Sequence, residues 1–263
     1  MKIRLLSDLH AEMGFDKELL KSQGEDVLVI AGDLHVGANN VWMLLKQFAE
    51  HQPNIVFIAG NHEFYRQDYF DTCRKLEDWA KGTSIKFLNP GVVYFDPKLK
   101  RLIDPVKFIP DDWVAFIGAP LWTNFRDSEL SKFHAQQSIN DFRLIEYDNH
   151  YFTPNDAADL FRQHSSYIKF QSEQIKTKKV IVTHFLPAVE CIDPKYLGYA
   201  SSTLNDYFAN DMGVYISWLE NTTWLHGHTH DNVNKVIGST RVVANPYGYG
   251  RNDNYKECIL EVL

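Results

Sequence analysis

The chain has 263 residues, with 27 Lys and Arg against 34 Asp and Glu for a formal net charge of −7, and 44% of its residues are hydrophobic. That length and apolar content suit an ordinary globular core. The negative charge gains little from counterion release and disfavours sequence-independent binding to long nucleic acid.

Cys73, Cys191 and Cys258 are odd in number and widely spaced, with no Cys-x-x-Cys pair, so neither a disulfide framework nor a cysteine zinc site is expected. No apolar run is long enough to cross a membrane. The N-terminal apolar stretch meets Ser7 and Asp8 too soon to be a signal peptide. A reducing cytoplasm is the expected compartment, with no membrane partner.

Ile3 to Leu6 reads as a strand and runs into Asp8-Leu9-His10. Val27 to Ile30 is a second apolar run, followed by Gly32-Asp33. Asn40 is placed to cap a helix with Val41, Leu44, Leu45 and Phe48 on one face. Ile55 to Ala59 predicts a third strand leading into Gly60-Asn61-His62-Glu63, and Phe70, Cys73, Leu76 and Ala80 mark the face of the next helix. This alternation to about residue 90 argues for an α/β fold with sites at the carboxyl ends of its strands.

The pattern then changes. Val92 to Phe95 and Val114 to Ile117, set apart by Pro, Gly and Asp, predict antiparallel strands. Residues 127–176 read as a helical insertion in which Thr153, Pro154 and Asp156 form a start signal. Val180 to Val182 precedes Thr183-His184, and residues 187–213 predict a surface loop with one helix. Thr223 to His226 leads into Gly227-His228-Thr229-His230, and Arg241 to Ala244 and Cys258 to Val262 are again β-like. There is no internal repeat or Gly/Ser linker, so one domain over residues 1–263 is expected.

Each ligand-type block alone suits a turn or a hydrogen-bonded side chain. If the chain stays extended beyond the first strand, Asp8 and His10 lie on the same side, and His228 and His230 flank Thr229 in the same way. Five such blocks, each after a strand-like run, can converge on one point. Carboxylate, amide and imidazole together are the ligand set of hard-to-borderline divalent cations, and manganese, iron and zinc suit it. A metal-dependent hydrolase is the expected class.

The order of these blocks resembles the calcineurin-like metallophosphoesterases, whose pattern is Asp-x-His, Gly-Asp, Gly-Asn-His-Glu/Asp, His, Gly-His-x-His; the match spans positions 8 to 230. The resemblance implies a four-layer α/β/β/α sandwich of two mixed sheets with the metals at one edge. It implies two divalent metal ions, one held by Asp8, His10, Asp33 and His230, the other by Asp33, Asn61, His184 and His228. Asp33 would bridge them, and a hydroxide between the metals would attack phosphorus. His62 would face the substrate and protonate the leaving oxygen, with Glu63 as an orienter or structural partner.

The expected partner is a small phosphate ester, more a diester than a monoester, because an uncharged surrounding of His62 asks for a singly charged substrate. A phosphomonoesterase, a nuclease and a non-catalytic scaffold are the alternatives; a scaffold should have lost ligands, and none is missing. Oligomeric state leaves no mark in the sequence.

Departures narrow the branch. Gly32-Asp33-Leu34-His35-Val36-Gly37 lacks the Gly-Asp-x-x-Asp-Arg of the phosphoprotein phosphatases, which leaves His62 without a named orienter. His62 also stands where the lipid A pathway hydrolases have Arg. Gly118-Ala119-Pro120-Leu121-Trp122-Thr123 and Asn245-Pro246-Tyr247-Gly248-Tyr249 resemble stretches of a bacterial-type group of phosphohydrolases, with Tyr247 in place of an Arg. Trp122, Asn124 and Tyr249 are candidates to line the substrate pocket, with a core position open for Trp122. Ser201, Asn205 and Asn210 are further candidates. His35 is a substrate contact or a surface residue, and His51, His134, His150 and His164 carry no motif.

Overall fold

A computed structural model describes residues 1–197, 202–249, 255–256 and 259–262. Among these residues the strands are β1 (Lys2–Leu6), β2 (Val27–Ala31), β3 (Ile55–Ile58), β4 (Ile85–Phe87), β5 (Gly91–Asp96), β6 (Arg101–Ile103) and β7 (Val114–Gly118). Then come β8 (Glu146–Tyr147), β9 (His150–Tyr151), β10 (Lys178–Val182), β11 (Thr222–His226), β12 (Val233–Ile237), β13 (Thr240–Ala244) and β14 (Ile259–Glu261). The helices are α1 (Ala38–Ala49), α2 (Tyr69–Ala80), α3 (Glu129–Ser138), α4 (Asp141–Leu144), α5 (Pro154–Gln174), α6 (Ser202–Phe208) and α7 (Gly213–Ser217).

Two mixed sheets form, in the orders β14-β1-β2-β3-β4 and β12-β13-β11-β10-β7-β5-β6. Side-chain alternation splits each strand between two cores. Ile3, Leu5, Val27 and Val29 of the first sheet meet Phe116, Val180, Val182 and Leu225 of the second, which makes the layer between the sheets. The opposite faces are covered by helices. Leu28, Ile30, Ile55 and Phe57 pack against α1 and α2 residues such as Val41, Leu45 and Leu76. Ile117, Ile181, Trp224 and Val242 pack against Ala135, Phe142, Ala157 and Leu160 of the helical segment. The result is the four-layer α/β/β/α sandwich.

β1 to β4 run parallel, as do β7, β10, β11 and β13, while β5 pairs antiparallel with β7 as the turn signals predict. Thr153 accepts from Asp156 N while the Asp156 side chain accepts from Thr153 N, a capping box with Pro154 in the first turn of α5.

Four expectations need correction. α1 is capped at Gly37, and Asn40 lies inside it, its amide donating to Val36 O at 3.0 Å. Phe70 is half exposed, and Tyr69 and Thr72 take its place in the buried stripe of α2. The segment between β7 and β10 is mainly helical but also holds the β8–β9 hairpin, whose two-residue strands are too short to show alternation. Residues 187–213 hold one α-helix, α6, before α7 begins at Gly213, but the segment is not simply a surface loop: Ala188, Cys191, Tyr207, Asn210 and Met212 are buried. Aromatic and polar residues mix there without a period, which hid the burial. Cys73 and Cys191 are buried and free; Cys258 lies outside the described residues.

Candidate metal centre

Each ligand block sits in the loop leaving the carboxyl end of a parallel strand: β1, β2 and β3 in one sheet, β10 and β11 in the other. The loops are stitched together by the backbone. Asp8 N donates to Gly32 O and His10 N to Asp33 O, both at 3.0 Å, and Gly227 N donates to His184 O at 3.0 Å. The chain does not stay extended after β1, contrary to the reading that put Asp8 and His10 on one strand face. Both are left-handed, at φ 51° and 44°, as are Asp33 (53°), His228 (70°) and His230 (51°). The side chains reach one centre through turns, not through the period of a strand.

Two glycines let the loops approach. A Cβ on Gly60 would lie 2.2 Å from Asp33 Oδ1, and one on Gly32 would lie 2.4 Å from His184 Nδ1. Both contacts are shorter than side chains tolerate, so glycine leaves the room these two groups fill.

The seven expected ligands come together. Ligand atoms of Asp8, His10 and His230 lie within 4.8 Å of one another, as do those of Asp33, His184 and His228, and those of His10, Asp33 and His62. His10 Nε2 is 3.1 Å from His230 Nε2, which is 3.4 Å from Asp8 Oδ1. His184 Nε2 is 3.2 Å from Asn61 Oδ1, 3.4 Å from Asp33 Oδ2 and 3.2 Å from His228 Nδ1.

The donor set fits a metal ion. His184 Nδ1 donates to the Ala31 carbonyl at 2.9 Å. That bond leaves Nε2 to face two acceptor oxygens, an arrangement that a proton or a metal cation at this point satisfies. The charges agree. Burial pushes the Asp8 carboxyl up, but the His230 and His184 imidazoles outweigh it and hold it below the ordinary range. Asp33 is likewise held low against its burial by His184 and His62. Burial opposes charge on His184, yet Asp33 raises it to about 10, so this point attracts positive charge.

His62 lies beside the group. Its Nε2 is 3.9 Å from Asp33 Oδ2 and its Nδ1 is 3.6 Å from Glu12 Oε1. Against burial, Asp33 and Glu12 raise it to about 9. The expectation of an uncharged surrounding is therefore wrong, because two carboxylates flank this imidazole. Glu12 also approaches His10 Nδ1 at 3.5 Å and His35 Nδ1 at 3.8 Å. Sequence reading missed Glu12, although its place two residues after His10 continues the Asp-x-His spacing.

Glu63 is structural. Its carboxylate accepts from Asp33 N (3.1 Å), Gly60 N (2.6 Å) and Leu34 N (2.6 Å), clamping the loops after β2 and β3. Burial and the Asp33 carboxylate push its carboxyl up to about 7, against the Leu34 and Gly60 donors and the His184 charge. Asp141, Tyr65 and Tyr207 were also missed. Asp141 accepts from Asn61 Nδ2 at 2.9 Å, from Tyr65 Oη at 2.8 Å and from Tyr207 Oη. No motif marks this Asp in a helical segment remote in sequence from the five blocks.

The secondary candidates divide. Tyr249 packs on His10 and His230 with ring centroids 4.4 and 4.5 Å apart. Trp122 is wholly buried among Phe64, Phe152 and Phe185, a core residue. Asn124 caps a short 3-10 turn, and Asn210 is buried with its amide on Trp122 O and Leu186 O. Tyr247 is buried, and its hydroxyl accepts from Asp16 N at 3.1 Å. His226 is buried with Nδ1 on Gly227 O. Ser201 lies outside the described residues.

The centre floors an open cleft of 390 Å³ lined in part by Asn61, His62, Tyr65, Asn140, His228 and Tyr249. A smaller, mainly apolar pocket of 180 Å³ shares Phe208 and His228 with it and is lined by Leu186, Ile192, Tyr196 and Asn205. No helix among the described residues is long and apolar enough to cross a membrane.

Among solved structures, a phosphopantetheinyl hydrolase from Mycobacterium tuberculosis matches with a TM-score of 0.73 at 16% identity, over 100% of this chain and 95% of that one. A protein described as a 5′-nucleotidase from Staphylococcus aureus matches at TM-score 0.47 and 12% identity, over 95% of this chain and 49% of its own. GAP50, the anchor in the inner membrane complex of Plasmodium, matches at TM-score 0.44 and 13% identity, over 95% and 72%. No curated protein sequence gives a significant match. The first of these likenesses supports the fold. A family model described as calcineurin-like phosphoesterase matches residues 1–232, which contain all five ligand blocks, and the chain therefore belongs to this family of metal-dependent phosphoric ester hydrolases.

Proposed function

We propose that the chain hydrolyses a small phosphate diester with two divalent metal ions. The observation that carries this reading is Asp33, whose carboxylate belongs both to the group with His184 and His228 and to the group with His10 and His62. One carboxylate shared by two ligand groups suits a pair of cations. Asp8, His10, Asp33 and His230 would hold one ion and Asp33, Asn61, His184 and His228 the other, with manganese, iron and zinc all suited to the mixed oxygen and nitrogen donors. Such ions, when bound, lower the pKa of water and offset charge on phosphoryl oxygens.

The chain's own residues supply the rest. His62 would carry the proton for the leaving oxygen, with Glu12 Oε1 3.6 Å from its Nδ1 to favour the charged ring. Asp33 orients the same residue through its Oδ1, which accepts from His62 N at 2.9 Å. Tyr249 and Tyr65 flank the imidazoles of His10 and His62, at 4.4 and 4.3 Å between ring centroids.

The diester preference rests on charge. No Lys or Arg lines the cleft among the described residues, and a diester, with one negative charge, asks least of such a site. We assign one ester arm to the apolar pocket beyond Phe208. The net charge of −7 favours a small substrate over long nucleic acid, and two buried free cysteines suit a reducing cytoplasm. The fold likeness to a phosphopantetheinyl hydrolase makes a phosphopantetheinyl diester the first natural substrate to assay.

The test strips the protein with chelator, reloads it with Mn²⁺ and compares bis-p-nitrophenyl phosphate with p-nitrophenyl phosphate. Metal-dependent turnover favouring the diester is expected, and preference for the monoester would overturn the substrate class. Asp33→Asn should lose activity and metal together; an active, fully loaded variant would remove the shared-carboxylate reading.

A further inference from the structure

Asp141, the first residue of α4, is fully buried. Its oxygens receive only uncharged donors: Asn61 Nδ2 and Tyr65 Oη on Oδ1, and Tyr207 Oη on Oδ2. No Lys or Arg pairs with it among the described residues. A carboxylate buried this way is costly, and it is kept where its hydrogen bonds specify something.

What it specifies is the orientation of one amide. Asn61 turns Nδ2 to Asp141 at 2.9 Å and to Tyr65 Oη at 3.2 Å, which leaves Oδ1 facing His184 Nε2 at 3.2 Å. A flipped amide would set its oxygen against the Asp141 oxygen and present NH₂, which binds no cation, to the centre. The hydroxyl of Tyr65 donates to Asp141, so it can only accept from Asn61, and the sense of every bond in the chain is fixed. The same carboxylate ties down both tyrosines. The Tyr65 ring lies tilted 4.3 Å from His62, and Tyr207 packs 5.5 Å from His228, both between ring centroids.

We propose that Asp141 is a positioning residue that locks Asn61 with its oxygen toward the metal centre, and so couples the helical segment to metal binding. The proposal rests on the reading of Asn61 as a metal ligand. Ligand-orienting partners of this kind are worth about 10–100-fold in metal affinity.

The experiment titrates Mn²⁺ into chelator-stripped protein by calorimetry, with circular dichroism and apoprotein melting as checks on the fold. Asp141→Asn offers Asn61 both an acceptor and a donor, so the amide is satisfied either way round. The expected result is one Mn²⁺ bound as in the parent and the other about 10–100-fold weaker, at an apoprotein Tm close to the parent's. Wild-type affinity at both sites in a folded Asp141→Asn would overturn the proposal, as would an equal loss at both sites with a lowered Tm, the mark of a purely structural role.

Should Asp141→Asn not fold, Tyr65→Phe tests the same chain of bonds, because it removes the hydroxyl shared by Asn61 and Asp141. It should weaken the same single site by about tenfold, and unchanged binding would overturn the proposal. Asn61→Ala separates the two readings: if it binds both ions like the parent, the ligand assignment of Asn61 fails, whatever Asp141 does.

Discussion

Replacing Glu63 with Ala should cost the fold more than any other single change at the site. The side chain is fully buried and accepts three backbone N–H groups, those of Asp33, Leu34 and Gly60. Each buried donor left unpaired costs about 1–3 kcal/mol, so three cost about 3–9 kcal/mol. A native protein has about 5–15 kcal/mol in all. Glu63→Gln keeps one acceptor oxygen, which can cover the two donors now on Oε2. It leaves Leu34 N facing an amide NH₂, for about 1–3 kcal/mol. The assay is urea unfolding in the presence of chelator, so that metal binding does not contribute. A loss below about 1 kcal/mol for Glu63→Ala, or a larger loss for Gln than for Ala, would refute the three-donor clamp.

His62→Ala should retain both metal ions but lose rate, most for esters with poor leaving groups; metal analysis and a leaving-group series check it, and equal loss across the series would remove the acid role. His164 supplies a pH prediction. It is buried in α5 and burial lowers it to about 3, whereas the unfolded chain binds the proton near 6.5. The unfolded state then holds more protons between those values. The stability linked to His164 is complete above pH 6.5 and falls as the pH drops toward 3, by about 2 kcal/mol from pH 7 to pH 5. His164→Leu should lose that slope in urea titrations at the two pH values, and a parallel pH dependence in both proteins would count against it.

Four of the five ligand blocks were legible because each follows a strand dense in Val, Ile and Leu; the fifth follows the weaker run Thr223 to His226. Their order along the chain then matched a known pattern. The reason first offered for Asp8 and His10 was wrong, since the convergence comes from left-handed turns that apolar periodicity does not report. Glu12 and Asp141 were missed for different reasons. Glu12 sits in a short 3-10 turn where a carboxylate has no distinctive neighbours. Asp141 depends on the packing of α4 against the centre, a contact across 80 residues that no local pattern encodes. The burial of Trp122, left open between core and pocket, was decided by four aromatic neighbours that come from distant elements.

Asp8, His10, Asp33, His228 and His230 all hold left-handed backbone angles, a conformation that costs a side chain on the order of 1 kcal/mol and glycine almost nothing. On backbone angle alone, glycine would suit every one of these positions better. The carboxylates recover part of that cost, since Asp8 accepts from His228 N and Asp33 from His62 N, both at 2.9 Å. Five side chains in a costly conformation, all aimed at one point, belong to a fold that trades local stability for a site.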